Sequence, residues 1–165
     1  MSRKPENERR FLLRRVPHEI ITRSWTETTI IQVYNPNGWR YRQADSSGTG
    51  LEFYKTRKST IALGVNDEEE YKITREEFEH NTDLGSMKSI PKLRWSIHPA
   101  EGIKFDLDDF DVCGLAGIKL VILEVELDDI DMKFEFPVPL QDQIICEITG
   151  MKQFSCFNLA RINHY

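Results

Sequence analysis

Cysteine is scarce in this chain of 165 residues: Cys113, Cys146 and Cys156 form no CxxC pair and are odd in number. That argues against a disulfide framework and against a thiolate zinc site. The four histidines, His18, His80, His98 and His164, are scattered, and none lies in a metal-binding spacing such as HExxH. Any metal is therefore expected to be held by oxygen, and carboxylates suit a hard cation, Mg²⁺ or Mn²⁺, better than zinc or copper. No run of about 18 apolar residues occurs and the opening residues are polar, so neither a membrane span nor a secretory signal is read and a cytoplasmic protein is expected. A surplus of positive charge is missing as well. With a formal net charge of -5, stable binding to duplex nucleic acid is not expected, and the basic residues must act locally.

What is present is ordinary in bulk and unusual in pattern. A hydrophobic fraction of 39% with 30% charged residues fits one globular domain over 1–165, long enough to enclose a substantial core. Alternation and β-branched or aromatic content predict strands at about 4–14, 28–35, 38–44, 50–58, 68–73, 91–98, 102–107, 118–128 and 143–149. Asn35-Pro36-Asn37-Gly38 and Ser46-Ser47-Gly48-Thr49-Gly50 are turn signals that make consecutive hairpins of the first third. Helices are few and short. One opens at Val16-Pro17-His18-Glu19, one follows the capping-box spacing of Thr74 and Glu77, and one covers 151–162 with Phe154, Phe157, Leu159 and Ile162 as its apolar positions.

The charges are sorted by sign, strand by strand. In an extended run Glu6, Glu8 and Arg10 share one face while Arg9 and Phe11 point away. A single such triplet reads more readily as the wet face of an antiparallel strand. The pattern recurs, however, in Arg40 and Arg42, in Lys55 and Arg57, in Glu68, Glu70 and Lys72, in Lys92 and Arg94, and in Glu124 and Glu126. Residues 118–127 are apolar on both parities, yet one parity carries Glu124 and Glu126. A strand covered on both sides that still bears two carboxylates fits a closed barrel with a charged interior.

In this order the segments resemble the CYTH superfamily, the triphosphate tunnel metalloenzymes. Glu6, Glu8 and Arg10 match its N-terminal ExExK with arginine for lysine. Ile31-Gln32-Val33-Tyr34 is similar to its IQGY segment, Arg40 and Arg42 to its RxR, and Lys55 to the lysine that ends its next strand. Glu68 to Ile73 resembles ExExxI, Ile90 to Arg94 resembles IxKxR, Leu123 to Leu127 resembles AEVEL, and Glu147-Ile148-Thr149-Gly150 through Asn158-Leu159-Ala160 resembles the closing motif. Met151, Gln153, Phe154 and Ser155 depart from that last motif, and Asp108-Asp109-Phe110 matches the family's DxF strand loosely.

The resemblance implies an α+β protein, a closed antiparallel barrel of about eight strands forming a charged tunnel with a few peripheral helices. It implies that Arg10, Arg40, Arg42, Lys55, Lys92 and Arg94 grip a triphosphate-containing small molecule. It implies further that Glu6, Glu8, Glu124 and Glu126 hold Mg²⁺ or Mn²⁺, with Glu8, Glu126 and Lys55 nearest the chemistry. Glu68, Glu70, Lys72, Asp108 and Glu147 are expected in the tunnel wall, although a solvated strand explains Glu68, Glu70 and Lys72 as well. The activity implied is metal-dependent triphosphate hydrolysis. A class IV adenylate cyclase or a non-catalytic nucleotide- or polyphosphate-binding module is the alternative, and a homodimer is expected from the small size of the domain.

Overall fold

Alternating side chains make nine strands in the computed structural model, which describes residues 2–22, 24–110 and 120–162. Readings at Cys113, at the start of the segment 118–127 and at His164 lie outside the described residues. The strands are β1 (Ser2–Leu13), β2 (Thr26–Tyr34), β3 (Arg40–Ser46), β4 (Gly50–Ala62), β5 (Val65–Ile73), β6 (Lys88–Ala100), β7 (Ile103–Asp109), β8 (Val121–Leu127) and β9 (Ile144–Glu147). Three short helices accompany them: α1 (Arg75–Asn81), α2 (Val138–Gln141) and α3 (Cys156–Ile162). Residues His18–Thr22 form a 3-10 turn where a helix was expected.

All nine strands belong to one antiparallel sheet ordered β5-β4-β3-β2-β6-β7-β8-β1-β9, and a further β1–β5 pairing closes it. Eight strands thus form a barrel, and β9 is an addition to it. Closure is possible because β1 changes neighbours along its length. Ser2 to Asn7 pair with β5, Asn7 to Leu13 pair with β8, and Phe11 to Leu13 also carry β9.

Parity decides what each strand shows to the two faces. The odd positions Phe11, Leu13, Trp95, Phe105, Leu107, Leu123, Val125 and Leu127 form an outer core, roofed by Met132, Phe134, Phe136 and Leu140. At roughly 1.5–3 kcal/mol per fully buried large apolar side chain, this outer layer is the main source of stability. A second outer cluster places Phe78 of α1 over Val33, Tyr41 and Phe53. Trp39, Tyr41, Trp95 and Phe134 are therefore outer packing, and Trp25 joins them.

The inward rows are polar over most of their length and turn apolar at one end. Arg10 is followed by Leu12, Asp108 by Phe110, Lys92 is preceded by Ile90, and Glu124 by Ile122; these apolar residues meet Leu159 and Ala160 of α3 in a third cluster. The lumen is thereby stoppered at the α3 end. The C-terminal segment differs from a continuous helix over 151–162. A 3-10 turn at Lys152–Phe154 and a break at Ser155 precede α3, and Phe157 and Ile162 are exposed while Leu159 and Ala160 are buried.

Two local features set the site. Thr74 caps α1 by accepting from the Glu77 N–H at 3.1 Å, but the Glu77 carboxylate accepts from Lys55 Nζ at 2.7 Å, so only half of the expected capping box forms. The β4–β5 hairpin is longer than expected and turns at Gly64, whose φ is +72 and whose carbonyl accepts from the Glu8 N–H at 2.7 Å. A Cβ there would lie 2.8 Å from the Glu8 carbonyl oxygen, so glycine is what lets the hairpin seat against β1.

Candidate functional site

The barrel encloses a cavity of about 530 Å³ whose lining includes Glu6, Glu8, Gln32, Arg40, Arg42, Lys58, Glu68, Glu70, Lys92, Arg94, Lys104, Glu124 and Glu126. Its walls come from all eight strands of the barrel. The residues are neighbours because antiparallel pairing stacks the inward positions of β1, β8, β7 and β6: Glu8 is opposite Glu126, Arg10 opposite Glu124, Asp106 opposite Glu124, and Arg94 opposite Asp108.

Arg94 is the most constrained cation. Its Nε and Nη2 donate to Asp108 at 2.6 and 2.7 Å, its Nη1 to Asp106 at 2.8 Å, and its Nη2 also to Glu124 at 2.5 Å. Burial opposes its charge, but Asp106, Asp108 and Glu124 together hold it well above the ordinary guanidinium value. Burial likewise opposes the charge on Glu124, yet Arg94, Lys92 and Arg10 hold its carboxyl well below the usual range. Lys92, only 2% exposed, donates to Asp108 at 2.6 Å and contacts Cys156 Sγ of α3 at 3.8 Å. Arg10 lies 3.5 Å from Glu8 and 3.4 Å from Glu124, and its Nη2 donates to the Phe154 carbonyl at 3.0 Å.

The acidic wall is less well compensated. Burial raises Glu6 and Glu126, and burial with the nearby Glu124 charge pushes Glu8 up to about 8. Lys58 is the counter-charge: its ammonium contacts Glu6 and lies 3.5 Å from Glu8 and 3.8 Å from Glu68. Burial alone would lower Lys58, but Glu8 and Glu6 hold it above the ordinary lysine value. Toward the open end, Lys104 Nζ bridges Asp106 at 2.7 Å and Glu126 at 3.1 Å. On the opposite wall Glu70 accepts from Arg42 Nη2 at 3.2 Å and from Thr56 Oγ1 at 3.0 Å.

Of the site residues read from the sequence, Glu6, Glu8, Arg40, Arg42, Glu68, Glu70, Lys92, Arg94, Glu124 and Glu126 line the cavity; Arg10 and Asp108 stand directly behind it. Three do not belong there. Lys55 is on the outer face, paired with Glu77 and lying 5.7 Å from the Trp39 ring and 5.6 Å from the Tyr71 ring. β4 turns Thr56 and Lys58 inward and Lys55 and Arg57 outward, so the lysine of the lumen is Lys58. Glu147 is also outside, in a bidentate pair with Arg9 at 2.9 and 2.7 Å, since β9 sets it opposite the outward Phe11. Lys72, with its side chain 65% exposed, pairs with Glu52 beyond the cavity. The residues not anticipated are Lys58, Gln32, Asp106 and Lys104. Lys104, Asp106 and Asp108 share one parity, which was the available signal.

Among the described residues no three acidic, histidine or cysteine side chains stand close enough together to hold an ion as they are placed. Lys58 occupies the space between Glu6 and Glu8. The donor chemistry nevertheless fits a hard cation, because the buried Glu8 and the half-buried Glu126 are carboxylates whose charge is incompletely balanced, the condition that an added positive ion relieves.

A closed antiparallel barrel with acids and bases sorted around its lumen is the barrel fold that the sequence resemblance implied. Solved structures share it. The protein NE1496 matches in two crystal structures, one of which names it an inorganic triphosphatase. That one has a TM-score of 0.54 and 22% identity, covering 94% of this chain and 93% of that chain; the other has a TM-score of 0.54 and 24% identity, covering 94% and 97%. The PH1819 protein from Pyrococcus horikoshii OT3 has a TM-score of 0.54 and 17% identity over 75% of this chain and 78% of that chain. At these identities the likeness is one of fold. No protein-family model matches the chain, and no curated protein matches it. Among the described residues, no helix is long and apolar enough to cross a membrane.

Proposed function

We propose that the protein hydrolyses a triphosphate bound in the barrel lumen, with Mg²⁺ or Mn²⁺ as cofactor. The observation that carries this reading is the convergence of Arg40, Arg42, Lys58, Lys92 and Arg94 with Glu6, Glu8, Glu124 and Glu126 on one enclosed cavity. Glu6, Glu8, Glu68, Glu70, Asp106, Asp108, Glu124, Glu126 and Asp128, set against Arg10, Arg40, Arg42, Lys58, Lys92, Arg94 and Lys104, leave two formal negative charges. A polyanion entering a lumen so nearly balanced must bring or recruit positive charge, which accounts for the metal.

Arg40 and Arg42 on β3 and Lys92 and Arg94 on β6 take the phosphate oxygens from two sides, with Arg94 fixed in orientation by Asp106 and Asp108. Glu6 and Glu8, with Glu124 and Glu126 on the adjacent strand β8, are the residues that would hold the ion. When bound, it would neutralise phosphate charge and acidify a water. Lys58 then exchanges its partners Glu6 and Glu8 for phosphate oxygen. The apolar stopper beneath α3 keeps bulk water from that end. Rate enhancement comes from positioning and charge neutralisation, which is nearly all that phosphoryl transfer asks of a protein.

Among the described lining residues there is no phenylalanine, tyrosine or tryptophan ring on which a base would stack. This favours hydrolysis over cyclisation of ATP, and recognition of the phosphates over recognition of whatever they are attached to. The inorganic triphosphatase NE1496, which shares the fold, supports the same choice. The test is incubation with tripolyphosphate, ATP and thiamine triphosphate, with Mg²⁺ or Mn²⁺ and with EDTA. Orthophosphate release abolished by EDTA is expected. Cyclic AMP with pyrophosphate, or tight binding without products, would contradict hydrolysis.

A further inference from the structure

Gln32 is an uncharged amide deep in a lumen lined mainly by charged side chains. Its side chain is 2% exposed and lines the cavity, and its Oε1 is buried without a hydrogen-bond partner. Strand register places Arg42 directly opposite it on β3 and Ile90 opposite it on β6, with Lys92 at the next inward position. Arg42 Nε and Arg40 Nε are also buried without partners. The inner end of the cavity therefore presents two unmatched donors and one unmatched acceptor. A buried amide oxygen left unpaired is costly, so this trio is arranged for something that satisfies all of it.

A fully ionised oxyanion answers the two arginines and repels the amide oxygen. An oxyanion that keeps one hydrogen answers all three. We propose that Gln32 reads the proton on the phosphoryl group bound deepest in the lumen: its P–OH donates to Gln32 Oε1 while its other oxygens accept from Arg40 and Arg42. Only a terminal phosphoryl group retains a second titratable hydroxyl near neutrality, with a pKa of about 6. The substrate therefore enters with its terminal phosphate toward α3, and any organic group remains at the open end near His98 and Lys104. This inference rests on the lumen being a phosphate site, as proposed above, and deepens it by assigning direction and protonation state.

The carboxamide turned by half a rotation would present Nε2 instead and would favour any tetrahedral oxyanion. Inorganic phosphate and sulfate separate the two arrangements. Slightly above neutral pH both are mainly dianions of similar shape, and phosphate alone carries a hydrogen. Calorimetric titration of the full chain with each salt, in a chloride background, is expected to show phosphate binding at least ten-fold more tightly than sulfate. In Gln32→Leu the preference disappears, mainly through weaker phosphate binding. In Gln32→Glu, which keeps an acceptor and adds a charge, both anions bind more weakly but phosphate is still preferred. A circular-dichroism melt confirms that each variant is folded, and Gln32→Glu carries the test where Gln32→Leu is not. Equal affinity of the unmodified protein for the two anions would overturn the role of Gln32 and leave the phosphate site standing. Failure of both anions to bind would overturn both.

Discussion

Arg94 Nη2 meets Glu124 Oε2 at 2.5 Å, and the same guanidinium holds Asp106 and Asp108, so one side chain ties the inward faces of β6, β7 and β8 together. Its removal would leave three buried carboxylates short of a partner. Arg94→Met is expected to cost about 3–5 kcal/mol, the range for breaking a buried ion pair from one side, read from the urea midpoint. Arg94→Lys should recover part of that, because a single ammonium cannot reproduce the fork.

Lys55 and Lys58 differ in face, and their variants should differ in kind. Lys55→Met removes a partly exposed pair with Glu77, so a loss of no more than about 1 kcal/mol and unchanged turnover are expected. Lys58→Met removes the counter-charge of Glu6 and Glu8 inside the cavity. A rise in KM for tripolyphosphate of at least about ten-fold is expected, equivalent to one lost charge-assisted hydrogen bond. Steady-state kinetics on the two variants side by side decides which lysine faces the lumen.

Glu8 makes the metal-free protein sensitive to alkali. Its carboxyl is raised from 4.5 to about 8 by burial and by Glu124, so the folded state binds the extra proton and stability falls as pH rises from about 4.5 to about 8. Glu124 and Asp106 are shifted the other way, and their contribution is lost only as pH falls through their lowered values. Thermal melts in EDTA should therefore show a higher Tm near pH 6 than near pH 8.5. Glu8→Gln should flatten that slope and gain at least about 1 kcal/mol at the higher pH, some 2–4 °C for a chain of this size.

Gly64 links the hairpin to the acid wall. A side chain there is strained at φ +72 and collides with the Glu8 carbonyl and with Ile130, so Gly64→Ala is expected to cost more than about 1 kcal/mol. Because the strain falls on the backbone that carries Glu8, turnover should drop further than the loss of folded protein explains. Activity normalised to the folded fraction measures this directly.

Periodicity made the nine strands and the inward acids of β1 and β8 legible, because Glu6, Glu8 and Arg10 share one parity ahead of Phe11, and Glu124 and Glu126 share one parity of a strand that is otherwise apolar on both. Where both parities are polar, the sequence does not say which faces inward. In β4, Lys55 and Arg57 alternate with Thr56 and Lys58, and only the pairing with β5, which brings Thr56 to Glu70, fixes the inward face. Glu147 failed for a related reason: β9 joins β1 with Phe11 opposite Glu147, a register that no local pattern records. Lys104 was hidden by its position at a strand start, although it shares a parity with Asp106 and Asp108. Gln32 gave no signal of charge, and its importance comes entirely from burial among arginines.

Lumen carboxylates that serve a divalent ion acting on a triphosphate are indispensable to turnover but not to folding. Orthophosphate release from tripolyphosphate, followed in Mg²⁺ or Mn²⁺ for the unmodified protein, Glu8→Gln and Glu126→Gln, tests this most directly. EDTA-sensitive turnover is expected in the first and a loss of at least about a hundred-fold in the other two, of the order seen when an electrostatic catalytic group is removed, with both variants still folded. Full metal-dependent turnover in either variant would contradict this.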